Sequence, residues 1–210
     1  FMVKEGDEVK AGQVLMRLSD IEASSDLGAS RARYLGLLAA VTRLQAEAEG
    51  KTALEFPKEV KDGAPSSVAE EMNAFRANQQ QIQGQLSIFK DQLSQREGEV
   101  QELQTRVNDV RAVLKMQQDE KAIIAPLVQT GSAPKLELMQ LERTIREKTS
   151  ELNNALSSLP RANAAVSEAK GRIADLQTSA KAKAQAELAA KMLEMNEIKE
   201  RLSALKERKT

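Results

Sequence analysis

From Val68 onward, apolar residues return after four and then three positions, through Met72, Phe75, Ile82, Leu86, Phe89, Leu93, Val100, Leu103, Val107, Val110 and Leu114, interrupted only at Gln79 and Arg96. A seven-residue repeat held this long keeps one apolar stripe facing a partner helix as the two supercoil, and few folds other than a coiled coil accept it. A second stripe follows through Leu138, Leu141, Ile145, Leu152, Ala155, Leu159, Ala162, Val166, Ala169, Ile173, Leu176 and Ala180, interrupted at Lys148. It shifts register at Ala184 and Leu188, a stutter that locally unwinds a supercoil, and resumes at Met195, Ile198, Leu202 and Leu205. Between the stripes lies Gln129-Thr130-Gly131-Ser132, a turn sequence.

Folding the chain back at Gly131 sets Leu152 opposite Val110, Leu159 opposite Leu103 and Ile173 opposite Phe89, so both stripes close on one antiparallel hairpin. Large residues then meet small ones, as Val107 meets Ala155, which lets the backbones approach. Gln79, Arg96 and Lys148 read as register devices, because a polar residue in a seam penalises shifted pairings. Pro126 and Pro160 fall inside helical pattern and are expected to loosen it locally.

Before the hairpin, Ser19 and Glu22 are spaced as a capping box, and a helical stripe on Leu27, Ser30, Tyr34, Leu37, Val41, Leu44 and Ala48 ends at Gly50. Pro57, Gly63 and Pro65 then interrupt the pattern, so 51–66 is expected to be an extended connector pinned by Leu54, Phe56 and Val60. Ser67 with Glu70 would cap the next helix. Phe1 to Leu18, with Gly6-Asp7 and Ala11-Gly12 between short Val- and Leu-bearing segments, reads as a small β stub. The organisation expected is therefore a β stub at 1–18, a first helix at 19–50, the connector at 51–66, an ascending helix at 67–128, a tip turn at 129–132 and a descending helix at 133–210. The fold class is all-α: a long antiparallel coiled-coil hairpin with an additional shorter helix at its base, making that base three helices thick.

Composition narrows the chemistry. Histidine and cysteine are both absent, which removes imidazole bases, thiolate nucleophiles and disulfides. Lys plus Arg equals Asp plus Glu at 31 each, leaving no basic excess for nucleic acid. The longest nearly apolar run, Leu35 to Val41, is far shorter than the roughly 20 residues of a membrane span, so the chain as given is expected to be soluble. Glu70-Glu71, Asp119-Glu120 and Glu142 read as solvated helix-surface carboxylates, and Met192 and Met195 as packing residues. Neither an enzyme nor a cofactor or metal site is expected.

The opening Glu5-Gly6-Asp7-x-Val9-x-x-Gly12-Gln13-x-Leu15 resembles the first half of a biotinyl or lipoyl domain, but Met16-Arg17-Leu18 leads straight toward a helix where a carrier would present its modified lysine. A lipoyl half interrupted by a long helical hairpin resembles the HlyD family of periplasmic adaptors, or membrane fusion proteins. Arg43-Leu44-Gln45-Ala46-Glu47-Ala48-Glu49-Gly50 with Phe56-Pro57, and Gly131-x3-Lys135-x-Glu137-Leu138-x2-Leu141-Glu142-Arg143, are similar to the adaptors of type I secretion systems. The resemblance implies a fragment of a longer protein, with a membrane anchor before it and a second lipoyl half and β-barrel after it. It implies a periplasmic location anchored to the inner membrane, an inner-membrane ABC transporter and an outer-membrane TolC-type channel as partners, and a homo-oligomeric ring. A drug-efflux adaptor and a generic coiled-coil tether are the alternatives. The family's tip pattern, Arg-x3-Leu-x6-Ser/Thr, falls here on Ile123, Leu127 and Ala133 or Pro134, so only the leucine is kept. Leu127, Gln129, Thr130, Gly131 and Ser132 are the candidate docking residues, against a plainer reading in which they form a turn and Ser132 caps the descending helix.

Overall fold

The computed structural model describes residues 20–207, with side chains from residue 25 onward. The β stub at 1–18 and the Ser19–Glu22 capping box lie outside those described residues and side chains. Four helices follow in order: α1 (Asp20–Glu49), α2 (Lys58–Gly63), α3 (Pro65–Gln129) and α4 (Lys135–Glu207). The fold is an all-α helical hairpin with a shorter preceding helix, α3 and α4 having 65 and 73 residues. Both prolines sit inside these helices without ending them. Two compact units are distinguished, the first from α1, α2, the start of α3 and the end of α4, the second from 82–177.

In the first unit, α1 is buried on two opposite stripes. Ser30, Val41 and Leu44 lie on the stripe expected from the sequence, while Leu35, Ala39 and Ala46 lie about half a turn away and enter the main core. That core is completed by Leu54, Phe56, Val60, Ala64 and Phe75, with Tyr34, Leu38, Val68 and Met72 packed at its margin. A helix buried on both sides needs partners on both sides, and α1 shares this unit with α2, the start of α3 and the end of α4. Gly50, with φ of 72°, ends α1 in a Schellman motif: its N–H donates to Glu47 O and the N–H of Lys51 to Ala46 O.

The connector departs from the expectation of an extended segment over 51–66. Pro57, held at φ −57°, accepts the N–H groups of Val60 and Lys61 on its carbonyl and so starts the single helical turn α2. The turn puts Val60, fully buried, into the core, and Leu54 and Phe56 pin the segment before it. Gly63 is needed for proximity rather than for breaking the chain, because a Cβ there would lie 2.5 Å from Leu35 Cδ1. α3 begins at Pro65, two residues before the expected cap, since a proline in the first turn needs no N–H partner.

Arg43 ties α1 to the start of α3 within this unit. Its Nε donates to Glu71 and its Nη1 to both oxygens of Glu47 at 3.1 Å, with all three side chains largely buried. Burial works against the charge of Arg43, but the hydrogen bonds to Glu71 and Glu47 outweigh it and its pKa is raised. Glu71 is therefore a structural ion-pair partner, not the solvated carboxylate expected. Gln79 reaches the Lys51 carbonyl at 3.0 Å, which explains a polar residue in the seam at that point. On α4, Ala184 and Ile198 are buried and Met195 is partly so, whereas Met192 is 44% exposed and does not pack as expected.

In the second unit α3 and α4 run antiparallel. As the α3 number falls from Lys121 through Arg106 to Glu97, its ion-pair partner on α4 rises from Glu142 through Glu151 to Lys170. Of the expected seam positions here, Leu86, Val107, Val110, Leu114, Ala155 and Ala169 are fully buried, and the others are partly buried except Arg96. Arg96 is exposed and pairs with Glu99 on its own helix, so it is no register device. Lys148 and Arg106 both hold Glu151, at 2.8 and 2.9 Å, linking the helices across the seam. The seam also runs further than expected, through Gln117 and Lys121, where Gln117 Oε1 is buried without a hydrogen-bond partner.

Candidate docking tip

The turn is built largely from main-chain bonds. Gln129 is the last residue of α3, and Gly131 takes φ of 76°, which a residue with a Cβ rarely adopts. The Gly131 N–H donates to Val128 O at 3.1 Å and the Ser132 N–H to Leu127 O at 2.8 Å, the two bonds of a Schellman cap. Leu127 O also accepts the N–H of Ala133 and the Thr130 hydroxyl, at 3.2 and 3.0 Å. Pro126 O accepts the Thr130 N–H at 3.2 Å. This last turn of α3 contains Pro126 yet keeps its carbonyls occupied.

Ser132 does not cap the descending helix. α4 starts at Lys135, the Glu137 N–H returns to Pro134 O, and the Ser132 hydroxyl sits 3.1 Å from that of Thr130. Pro134, which fixes φ before the first helical residue, takes over the entry that a serine cap would have made.

All five expected tip residues, Leu127, Gln129, Thr130, Gly131 and Ser132, are brought together and exposed. The turn leaves Leu127 in an unusual position. A Schellman cap normally packs the apolar side chain of its third-from-last helical residue against an apolar residue two places past the cap. Here that second place is Ser132, so Leu127 has no such partner and stays 44% exposed. Ile123, in the place of the family pattern's arginine, is 68% exposed, and across the turn Leu136 and Met139 are 64% and 56% exposed. These three apolar side chains were missed by sequence reasoning. Their signal is a spacing, Ile123 and Leu127 four apart and Leu136 and Met139 three apart, that falls off the seam positions.

Among the charges near the turn, Lys121 and Glu142 form a surface ion pair at 2.8 Å, and through that hydrogen bond Lys121 holds the Glu142 pKa below the ordinary carboxylate value. Among the described residues no group of three or more acidic side chains is placed to hold a metal ion, and no helix is long and apolar enough to cross a membrane.

Residues 23–208 match the family model described as AprE, long alpha-helical hairpin. Over 180 residues the chain is 27% identical to the type I secretion system membrane fusion protein PrsE of Rhizobium meliloti (strain 1021), covering 83% of this chain and 39% of PrsE. It is 25% identical over 208 residues to the alkaline protease secretion protein AprE of Pseudomonas aeruginosa, covering 97% of this chain and 48% of AprE. The chain thus spans less than half the length of these relatives. The crystal structure of the soluble domain of LipC, a membrane fusion protein of a type I secretion system, superposes with a TM-score of 0.82 at 21% identity, covering 97% of this chain and 79% of that one.

Proposed function

Since the chain belongs to the AprE long helical hairpin family, we propose that it is the hairpin of a periplasmic adaptor for type I protein secretion. In this reading the full-length protein is anchored to the inner membrane, serves an ABC transporter there, and meets an outer-membrane TolC-type channel through its tip. It is a scaffold and not an enzyme. Seam burial supplies length and stiffness, and the turn presents a small contact. The names of the relatives, both secretion proteins, favour this over a drug-efflux adaptor.

The observation that carries the proposal is the unpartnered Leu127 on a turn held by its own main chain. A half-exposed apolar side chain that lacks the usual capping partner is suited to a contact made outside the hairpin. The Leu127→Asp variant of the full-length protein should abolish export while helicity and the thermal midpoint stay near those of the parent, because the last turn of a helix carries little of a hairpin's stability. Export at the parental level by the folded variant would refute a docking role for Leu127.

A further inference from the structure

In the first unit, the segment between α1 and α2 is extended main chain with nothing beside it to pair with. From Ala53 to Phe56 burial alternates, Leu54 and Phe56 lying in the core and Ala53 and Glu55 exposed, which is the period of an extended chain and not of a helix. Among the described residues, no main-chain N–H or C=O from Thr52 to Phe56 makes a hydrogen bond to another protein group. Their neighbours on either side are occupied: Lys51 O accepts the Gln79 amide, and Pro57 O accepts the N–H groups of Val60 and Lys61. The two core side chains hold the segment in place, so its main-chain groups are fixed in position and left unused.

The same segment forms one wall of a groove of about 610 Å³, whose other wall is α1 at Thr42, Gln45 and Ala46. That volume is within the range of sites that enclose a ligand. The α1 wall has little to offer one: the Thr42 hydroxyl donates to Leu38 O at 2.7 Å and the Gln45 amide to Glu49 at 3.2 Å. The charged side chains of the lining, Lys51 and Glu55, are of opposite sign, and Lys51 is already paired with Glu49 at 2.7 Å. Thr42, Ala46, Gly50, Thr52 and Ala53 are small, so the walls leave room for side chains of many shapes. The unused main chain of the 52–55 stretch is the largest set of donors and acceptors left in the groove.

We propose that this groove takes an extended stretch of the unfolded polypeptide being exported, which pairs its main chain with that of 52–56. Main-chain pairing supplies attraction while selectivity comes from side-chain pockets and charge, and here the walls are small and the charges opposed. Such a groove accepts one sequence as readily as the next, which a chain moving past it requires and a fixed partner does not. Five residues of extended chain span only about 16 Å at 3.3 Å per residue, so the contact is short and the chain can leave it. The inference rests on the adaptor reading for the presence of an exported chain, and it involves neither the turn nor the outward faces of the hairpin.

The test uses the full-length protein in cells that carry its export system, with the exported protein given single cysteines at successive positions. These 210 residues contain no cysteine. Under oxidation during export, Ala53→Cys should form a disulfide adduct with the exported chain at many of those positions. Arg76→Cys, exposed in the same unit but outside the groove, should form none. Filling the groove with Thr52→Trp should lower the Ala53→Cys adduct by about tenfold or more while helicity and the thermal midpoint stay near the parent's. Glu55→Trp is a second block that should act alike, and it decides the matter if the first variant does not fold. An adduct confined to one position of the exported chain, an equal adduct from Arg76→Cys, adducts with a different protein, or a folded, blocked variant that crosslinks as before would each overturn the proposal. Export in cells lacking the protein tests the adaptor reading separately: export that needs the protein, without any adduct from Ala53→Cys, removes only this contact, whereas export unchanged in its absence removes the adaptor reading and the contact with it.

Discussion

Gly63→Ala is a substitution whose sign depends on one neighbour. The added methyl would lie 2.5 Å from Leu35 Cδ1, against an ordinary carbon contact of about 3.5–4.0 Å, so one of the two must give way by about 1 Å or more. Leu35 is 2% exposed and belongs to the same buried core as Ala39, Val60 and Phe75, which leaves it little space to turn into. Forcing a methyl into a packed site costs about 1–3 kcal/mol. Opposing this, alanine narrows the unfolded chain and favours the protein by about 0.4–1 kcal/mol wherever its backbone fits, and Gly63 shows no positive φ. The net expectation is a loss of about 1–2 kcal/mol in the parent. In a Leu35→Ala background, itself destabilised by about 2–5 kcal/mol, the obstructing atom is gone and the same change should become neutral or stabilising. Urea unfolding of the four proteins gives the coupling directly, with an expected magnitude of about 1–3 kcal/mol. Equal effects of Gly63→Ala in the two backgrounds would refute the argument that Gly63 is there to admit Leu35.

Two further outcomes are expected. Gln117→Leu should raise stability by about 1 kcal/mol or more, since it removes a buried carbonyl oxygen with no partner, and a thermal midpoint no higher than the parent's would show that the oxygen is in fact satisfied. Hydrogen bonds from Lys121 to Glu142 and from Lys148 and Arg106 to Glu151 lower both carboxyl pKa values in the folded protein. A depressed folded pKa contributes stability that is present above the ordinary carboxylate value and lost as pH falls through the folded one, so the midpoint should drop between about pH 5 and pH 3. The Glu142→Gln/Glu151→Gln variant should drop less over that range, and an equal drop would remove these two groups from the effect.

The hairpin was legible because a seven-residue repeat is a statement about one face of a helix, and between Val68 and Leu205 burial follows the expected seam at every position but Arg96. What escaped was set by contacts between distant residues. α2 is a single turn kept by Val60 in the core, and no local pattern of six residues announces that. The second buried stripe of α1 is carried by Leu35, Ala39 and Ala46, small or isolated residues that blur the period instead of sharpening it. Gly63 and Gly131 look alike in sequence, yet one is required by a neighbouring side chain and the other by its own backbone angle. At the tip, the expected residues do form one exposed turn, but a seam that stops at Leu114 and resumes at Leu138 does not separate Ile123, Leu136 and Met139 from core residues. Reading the seam on through Gln117 and Lys121 shows which apolar residues it leaves outside.

The bonds that close the turn between α3 and α4 end mainly on the carbonyls of Pro126, Leu127 and Val128, with main-chain donors from Thr130 to Ala133. Replacing the side chains of Leu127, Gln129 or Ser132 removes none of those main-chain bonds; Gly131 alone is fixed, by its φ, and even there a Cβ would meet open space. The shape of the loop is thus independent of most of the letters written on it. A gene can exchange the side chains presented at this point and so change what they bind, one substitution at a time, with each intermediate still folding into the same turn.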